Sequence, residues 1–242
     1  LQKLSECYVQ HLADHPEDSV ADICFTVNTG RAHFQNRLAI SAASTDELRQ
    51  KLSSNKGVLH GTASEEQPKI AFLFTGQGSQ YVGMGRQLYD TLPIFRQTID
   101  RCAEILNSYL DISLLDVLYP NHSQSQIPDL TSQINMTAYT QPALFAVEYA
   151  LFQVWKSWGI TPSYFLGHSI GEYAAACAAG IFTPEDGLKL VAHRGRLMQS
   201  LPPDGKMVAV LAEETVVEDA IRPYTDDVSI AAINGNTSVV IS

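Results

Sequence analysis

Paired cysteines are missing from this 242-residue sequence: Cys7, Cys24, Cys102 and Cys177 stand far apart with no C-x-x-C among them. Such spacing fits neither a disulfide framework nor a zinc site and suits a reducing compartment, so the cytoplasm is the expected location. Basic runs are missing too. Sixteen Lys and Arg against 26 Asp and Glu give a net charge of −10 with histidines neutral, which disfavours nucleic acid or an anionic membrane as a partner. The longest uncharged apolar stretch, Tyr173 to Phe182, is too short to span a bilayer, and the N-terminal LQKLSECY lacks signal-peptide architecture. Without such a signal, the sequons at Asn121, Asn135 and Asn236 are read as coincidental. An initiator Met, internal repeats and low-complexity tracts are also lacking, and the first of these suggests a piece of a longer polypeptide.

What is present is 45% hydrophobic residues arranged in recognisable periods. Residues 1–13 predict a short amphipathic helix broken near Pro16, and Asp18–Asn28 predicts a second. Arg37–Ala43 is strand-like, and Ser44 with Glu47 has the spacing of a capping box opening a helix to about Leu52. The polar stretch from Ser53 to Pro68 then reads as a linker, so residues 1–66 form a small α+β domain.

Lys69–Thr75 is a continuous apolar run, as in a strand covered on both faces, and Gly76-Gln77-Gly78-Ser79-Gln80 follows it. A glycine turn at the C-terminal end of a strand is a typical ligand position in α/β folds. A dinucleotide fingerprint is excluded because Tyr81 occupies the third glycine position, and no G-K-S/T is present. Helical periodicity covers Met84–Tyr109 and Thr140–Trp158, the second with Thr140 as cap and Pro142 in the first turn. Ser163–Gly167 is a short strand followed by an alanine-rich helix, and Thr183 caps another helix running to about Ser200. Strands alternating with helices predict an α/β fold: a hydrolase-like parallel sheet flanked by helices over residues 67–203. Residues 204–242 read as β-α-β-β, the start of a ferredoxin-like subdomain lacking a further helix and strand. Such an incomplete unit predicts an unstable or inactive isolated chain.

Gly167-His168-Ser169-Ile170-Gly171 matches G-x-S-x-G, whose glycines permit a sharp strand-to-helix turn presenting the serine oxygen. The Ile170 amide then lies at a helix N-terminus, where a developing oxyanion is favoured. In the helix after Thr183 the apolar positions are Leu188, Leu190, Val191, Leu197, Met198 and Leu201, and Arg194 falls on the same stripe. Arg196 points elsewhere and reads as solvated. A core-facing guanidinium needs an anionic partner. Two candidates stand open: an internal carboxylate such as Glu172 or Glu148, or the carboxylate of a substrate, which an Arg fork matches bidentately.

FLFTGQGSQ (72–80), TQPALFAVE (140–148), GHSIGEYAAACAAG (167–180) and HRGRLMQ (193–199) occur in this order. Together they closely resemble the malonyl-CoA:acyl-carrier-protein acyltransferase domains of modular type I polyketide synthases. HLADHPEDSVADICFTVNTGRAHFQNRLAISAAS (11–44) resembles the linker domain that joins the ketosynthase to the acyltransferase in those enzymes. The resemblance implies that Ser169 is the acylated nucleophile and that the backbone amides of Gln77 and Ile170 form its oxyanion hole. Arg194 matches the arginine pairing with the extender unit's free carboxylate, and Gln141 and His168 match pocket positions. As the serine's strand neighbour, His168 faces away and is a poor base, and His193 reads as a flank residue. Ile170 goes with malonyl rather than methylmalonyl selection. The family's catalytic histidine and a second selectivity motif would lie beyond Ser242.

The resemblance further implies malonyl-CoA as substrate and an acyl carrier protein with its phosphopantetheine thiol as acceptor. The ketosynthase of the same polypeptide would be a neighbour, with no bound metal or redox cofactor. Two other readings remain at this point. A serine hydrolase or thioesterase would share the elbow but give no role to Gln77 or Arg194, and a non-catalytic linker or docking module would use only the N-terminal part.

Overall fold

The computed structural model describes residues 1–64, 66–120, 130–202 and 205–242; Asn121 and the expected boundary at residues 203–204 lie outside them. The chain divides into two compact units, Leu1–Lys69 and Ile70–Ser242.

The first unit runs α1 (Gln2–Asp14), α2 (Val20–Gly30), β1 (Asn36–Ile40), α3 (Thr45–Ser54) and β2 (Val58–Thr62). Ser19 caps α2, its side chain accepting the Asp22 N–H. Ser44 caps α3 by accepting the Glu47 N–H at 3.2 Å, while the Glu47 carboxylate accepts the Ala43 N–H at 2.8 Å, close to the expected box. The stretch from Ser53 to Pro68 is more than a linker. Asn55 and Gly57, with φ of 55° and 69°, turn the chain back, and β2 pairs antiparallel with β1, placing Leu38 opposite His60. Four of the five β2 residues are exposed, so the strand carries no hydrophobic alternation to betray it.

The second unit begins with β3 (Ala71–Phe74), α4 (Arg86–Thr91), α5 (Pro93–Leu106), α6 (Leu114–Leu118), α7 (Leu130–Gln133) and α8 (Thr137–Ser157). The single helix expected over Met84–Tyr109 is divided. Leu92 is extended because a residue preceding proline is excluded from the α region, and Pro93 opens α5. The start of α8 also differs from expectation: it begins at Thr137, so Pro142 lies inside the helix. Thr140 is fully buried and donates its hydroxyl to the Ile134 carbonyl at 2.6 Å instead of capping. Residues Tyr139 to Val147 are buried without interruption, which makes α8 the central pillar of the core.

β4 (Tyr164–Gly167), α9 (Ile170–Ala178) and α10 (Pro184–Gln199) follow. β3 and β4 pair in parallel with Phe74 opposite Gly167. Phe72 and Phe165 meet Phe152 of α8 with ring centroids 6.2 and 6.0 Å away. The opposite face carries Leu73 and Leu166, which are 72% and 66% exposed, so among the described residues the strand is covered on one side, not two. A two-residue period puts those leucines opposite the phenylalanines, and an uninterrupted apolar run does not reveal which side has a neighbour.

α10 packs along α8 through a seam of Gly187, Leu188, Val191, Ala192 and Gly195, all buried. A Cβ on Gly195 would lie 2.8 Å from the Thr137 carbonyl, and one on Gly187 2.6 Å from the Phe145 ring. The expected large-residue stripe is therefore corrected: Leu190, Leu197, Met198 and Leu201 are substantially exposed, because the small residues allow the closer approach and take the contact face. The last segment is β5 (Val208–Val210), α11 (Glu214–Ile221), a 3-10 turn over Arg222–Tyr224, β6 (Ile230–Gly235) and β7 (Ser238–Ile241). Its strands lie antiparallel in the order β5-β7-β6. Buried Val217 of α11 and Val239 of β7 belong to its core.

Candidate functional site

Ser169 sits in the bend between β4 and α9 with φ 53° and ψ −114°, a conformation that only a strongly held non-glycine residue keeps. Two glycines hold it. A Cβ on Gly167 would meet the Glu172 backbone nitrogen at 2.2 Å, and one on Gly171 would meet the Phe74 and Thr75 carbonyls at 2.5 Å. The end of β3 is thus wedged directly against the first turn of α9. Ser169 is exposed and Ile170 fully buried, so the elbow offers its hydroxyl outward while the next side chain anchors the helix.

The glycine turn after β3 borders the same bend. A Cβ on Gly76 would fall 2.5 Å from Nδ1 of His168, and the His168 backbone N–H donates to the Phe74 carbonyl at 3.1 Å. Gln77 is tied down by its side chain, which donates to the Thr137 hydroxyl at 3.1 Å. Among the described residues, neither the Gln77 nor the Ile170 backbone N–H has a protein acceptor. Two free amide donors therefore lie in the two adjoining turns, one of them at the positive end of α9.

Arg194 lies on α10 next to the Gly195 contact with α8. Its guanidinium carbon stands 5.4 Å from the centroid of the Tyr173 ring, and Tyr173 is one helical turn beyond Ser169 on α9. Nη1 of Arg194 is shielded from solvent without a hydrogen-bond partner, and no ion pair engages this residue among the described residues. Of the internal carboxylates considered, Glu148 is bonded instead to Thr75, and Glu172 is exposed. Gln141 is 1% exposed; its Nε2 meets the Met198 sulfur at 3.2 Å and its Oε1 is buried and unpaired. An unpaired acceptor on α8 and an unpaired donor on α10 thus occur along this seam; a guest's oxygen atom would satisfy the Arg194 donor, and Gln141 Oε1 would need a donor.

His168 Nε2 meets Asn234 Oδ1 of β6 at 2.9 Å. Arg196 is exposed, as expected, and its Nη2 also donates to the Tyr109 carbonyl at 2.6 Å. His193 is exposed on the flank, its ring edge-on to Tyr109. Tyr173, Thr137, Met198 and Glu148 join the site without having been singled out as site residues by sequence. Tyr173 alone carried a usable signal, its position four residues after the serine on one helix face. A surface hollow of about 440 Å³ between α5, α8 and α10, and another of about 500 Å³ in the first unit, contain none of the elbow residues. Among the described residues no group of His, Cys, Asp or Glu side chains could hold a metal, and no helix is long and apolar enough to cross a membrane.

Residues 71–242 match the family model described as the acyl transferase domain, and residues 1–52 match one described as CurL-like, PKS C-terminal. The spectinabilin polyketide synthase system protein NorB of Streptomyces orinoci is 40% identical over 248 residues, covering 100% of this chain and 11% of that protein. The phenolphthiocerol synthesis polyketide synthase type I Pks15/1 of Mycobacterium marinum is 40% identical over 96% of this chain and 11% of its own length. The solved acyl transferase domain of ZmaA superposes with a TM-score of 0.89 at 38% identity, covering 100% of this chain and 56% of that one. The chain thus spans about half of that solved domain and about a tenth of these curated relatives.

Proposed function

The chain belongs to the acyl transferase domain family, and on that premise we propose that it moves a malonyl group from malonyl-CoA to an acyl carrier protein by way of an ester on Ser169. In this reading it works within a polyketide synthase, and residues 1–66 serve as the linker between ketosynthase and acyltransferase. The relatives that support this setting are polyketide synthases matched along nearly all of the chain.

Ser169 Oγ attacks the thioester carbonyl and the carbonyl oxygen takes up negative charge. The amides of Gln77 and Ile170 donate to that oxygen, and because they are fixed before reaction they cost little reorganisation. Collapse expels the CoA thiol and leaves a malonyl ester; the phosphopantetheine thiol of the carrier attacks that ester, and Ser169 regains its proton. A base must take the serine proton first. The family resemblance gives this role to a histidine beyond residue 242, consistent with the bond that occupies Nε2 of His168.

The observation that carries the diacid assignment is Arg194: a guanidinium with a buried unpaired nitrogen, one ring removed from the serine's helix. A planar fork lacking an internal acid matches a free carboxylate. Ile170 favours malonyl over its methylated homologue by the same resemblance.

Intact-protein mass spectrometry tests this reading. Incubated with malonyl-CoA, the full polypeptide carrying this chain gains one malonyl group, and Ser169→Ala does not. Arg194→Ala lowers malonyl loading by about 100-fold while acetyl loading changes by less than about threefold, in line with loss of a paired charge contact. An unchanged malonyl-to-acetyl ratio removes Arg194 from the assignment. An acyl-enzyme that passes to water as readily as to the carrier thiol makes the protein a hydrolase instead.

A further inference from the structure

Glu148 is an expensive residue where it stands. It lies on α8 with Oε2 shielded from solvent and unpaired, and burial raises its carboxyl above the usual carboxylate range against the lowering effect of its bonds to Thr75. Among the described residues no ion pair offsets that cost. A leucine in the same space would avoid burying an acid, so the contacts the carboxyl makes need a reason other than core stability.

Those contacts all go to the glycine turn. Oε1 accepts both the backbone N–H and the hydroxyl of Thr75, each at 2.6 Å. The Thr75 hydroxyl is also 2.8 Å from the Ser79 hydroxyl, and Ser79 donates to the Gly76 carbonyl at 3.0 Å. The carboxyl and two hydroxyls therefore clamp both ends of Thr75–Ser79, the segment that holds Gln77. On its other side, Thr75 presses its carbonyl against Gly171 of the elbow, where an added Cβ would come within 2.5 Å. Thr75 is thus gripped between Glu148 and the backbone that carries Ser169.

We propose that Glu148 is a positioning residue: through Thr75 and Ser79 it fixes the Gln77 amide at the distance from Ser169 that the oxyanion requires. This rests on the acyl-transfer reading of the elbow, but only on its serine and oxyanion parts, not on the identity of the acyl group. A donor displaced by about 1 Å loses much of its transition-state contribution while ground-state binding, governed by Arg194, is left alone.

The test uses two probes of Ser169 in the full polypeptide: malonyl-CoA and a fluorophosphonate, whose phosphoryl oxygen also draws on the oxyanion donors. Glu148→Ala lowers the maximal acylation rate by about 30-fold with half-saturating malonyl-CoA within about twofold, and lowers fluorophosphonate labelling in parallel. Glu148→Gln retains the accepting oxygen and stays within about threefold of wild type. Ser79→Ala, which removes one clamp without touching the core, costs about fivefold in the same maximal rate and decides the matter should Glu148→Ala fail to fold. Rates unchanged in Ser79→Ala or folded Glu148→Ala overturn the proposal, as does a change confined to half-saturation. Wild type that labels with fluorophosphonate but never takes malonyl refutes the substrate assignment instead, leaving the clamp to be judged on labelling rates.

Discussion

The guanidinium carbon of Arg194 lies 5.4 Å from the centre of the Tyr173 ring, so the cation on α10 rests on a residue of the helix that begins at Ser169. An aromatic face attracts the charge without neutralising it, which leaves the guanidinium nitrogens available to a guest. α9 and α10 are thereby joined through a single aromatic side chain.

Tyr173 can be varied to check this. Tyr173→Phe keeps the ring and should leave malonyl loading within about twofold, whereas Tyr173→Leu should lower it by about fivefold, the equivalent of roughly 1 kcal/mol of cation–π attraction. Acetyl loading should change little in either variant. Equal losses for both acyl groups in Tyr173→Leu would show that the ring serves the fold of α9, not the cation.

The bend at Ser169 should register as strain. Its φ of 53° with ψ of −114° is open to glycine and unfavourable for any residue with a Cβ. Ser169→Gly should therefore be more stable than Ser169→Ala by about 1 kcal/mol, relief of local strain exceeding the extra chain entropy of glycine. Urea denaturation of the two variants measures the difference, and an alanine variant of equal or greater stability would mean that the bend is relaxed.

Thiol reactivity should separate the four cysteines. Burial pushes the thiols of Cys102 and Cys177 up to about 12, so at pH 8 almost no thiolate forms at either. Cys7 is exposed. Iodoacetamide under native conditions should modify Cys7 and spare Cys102 and Cys177 until denaturant is added, as peptide mass spectrometry would reveal. Early modification of the buried pair would contradict the packing of α5 and α9 described here.

Stability should also depend on the ionisation of Glu148. Its carboxyl is raised in the folded chain, so folding favours the neutral acid. Below the unfolded value, about 4.3, both states are protonated and ionisation costs nothing; as pH rises toward the raised folded value the cost grows, then levels off. Glu148→Gln cannot ionise, so its melting temperature relative to wild type should rise between pH 4 and 7. A difference that is flat across this range would show that the carboxyl is well solvated.

Much of this arrangement can be read from residue order. Ser44 with Glu47 and Thr183 with Asp186 announce their helices because a hydroxyl before an acidic first turn has one favourable use. Gly167 and Gly171 around Ser169 announce the elbow because backbone meets backbone there. β2 escapes notice because it is paired through its backbone while its side chains face water. The α8–α10 seam misleads for another reason: large and small residues share the helical period, and only three-dimensional packing shows that Gly187 and Gly195 bring the axes together while Leu197 is left outside. Glu148 is legible as a candidate partner for Arg194, but its actual bond to Thr75, 73 residues away, leaves no trace in a one-dimensional pattern.

The contacts of Gly167 and Gly171 mark a part of the chain that cannot change. Main-chain atoms butt together at the elbow, and any methyl added there has nowhere to go. Substitutions meant to reshape this region should therefore spare the loop and target contacts such as that of Gln141 with Met198, which meet side chain to side chain and where different shapes can be exchanged.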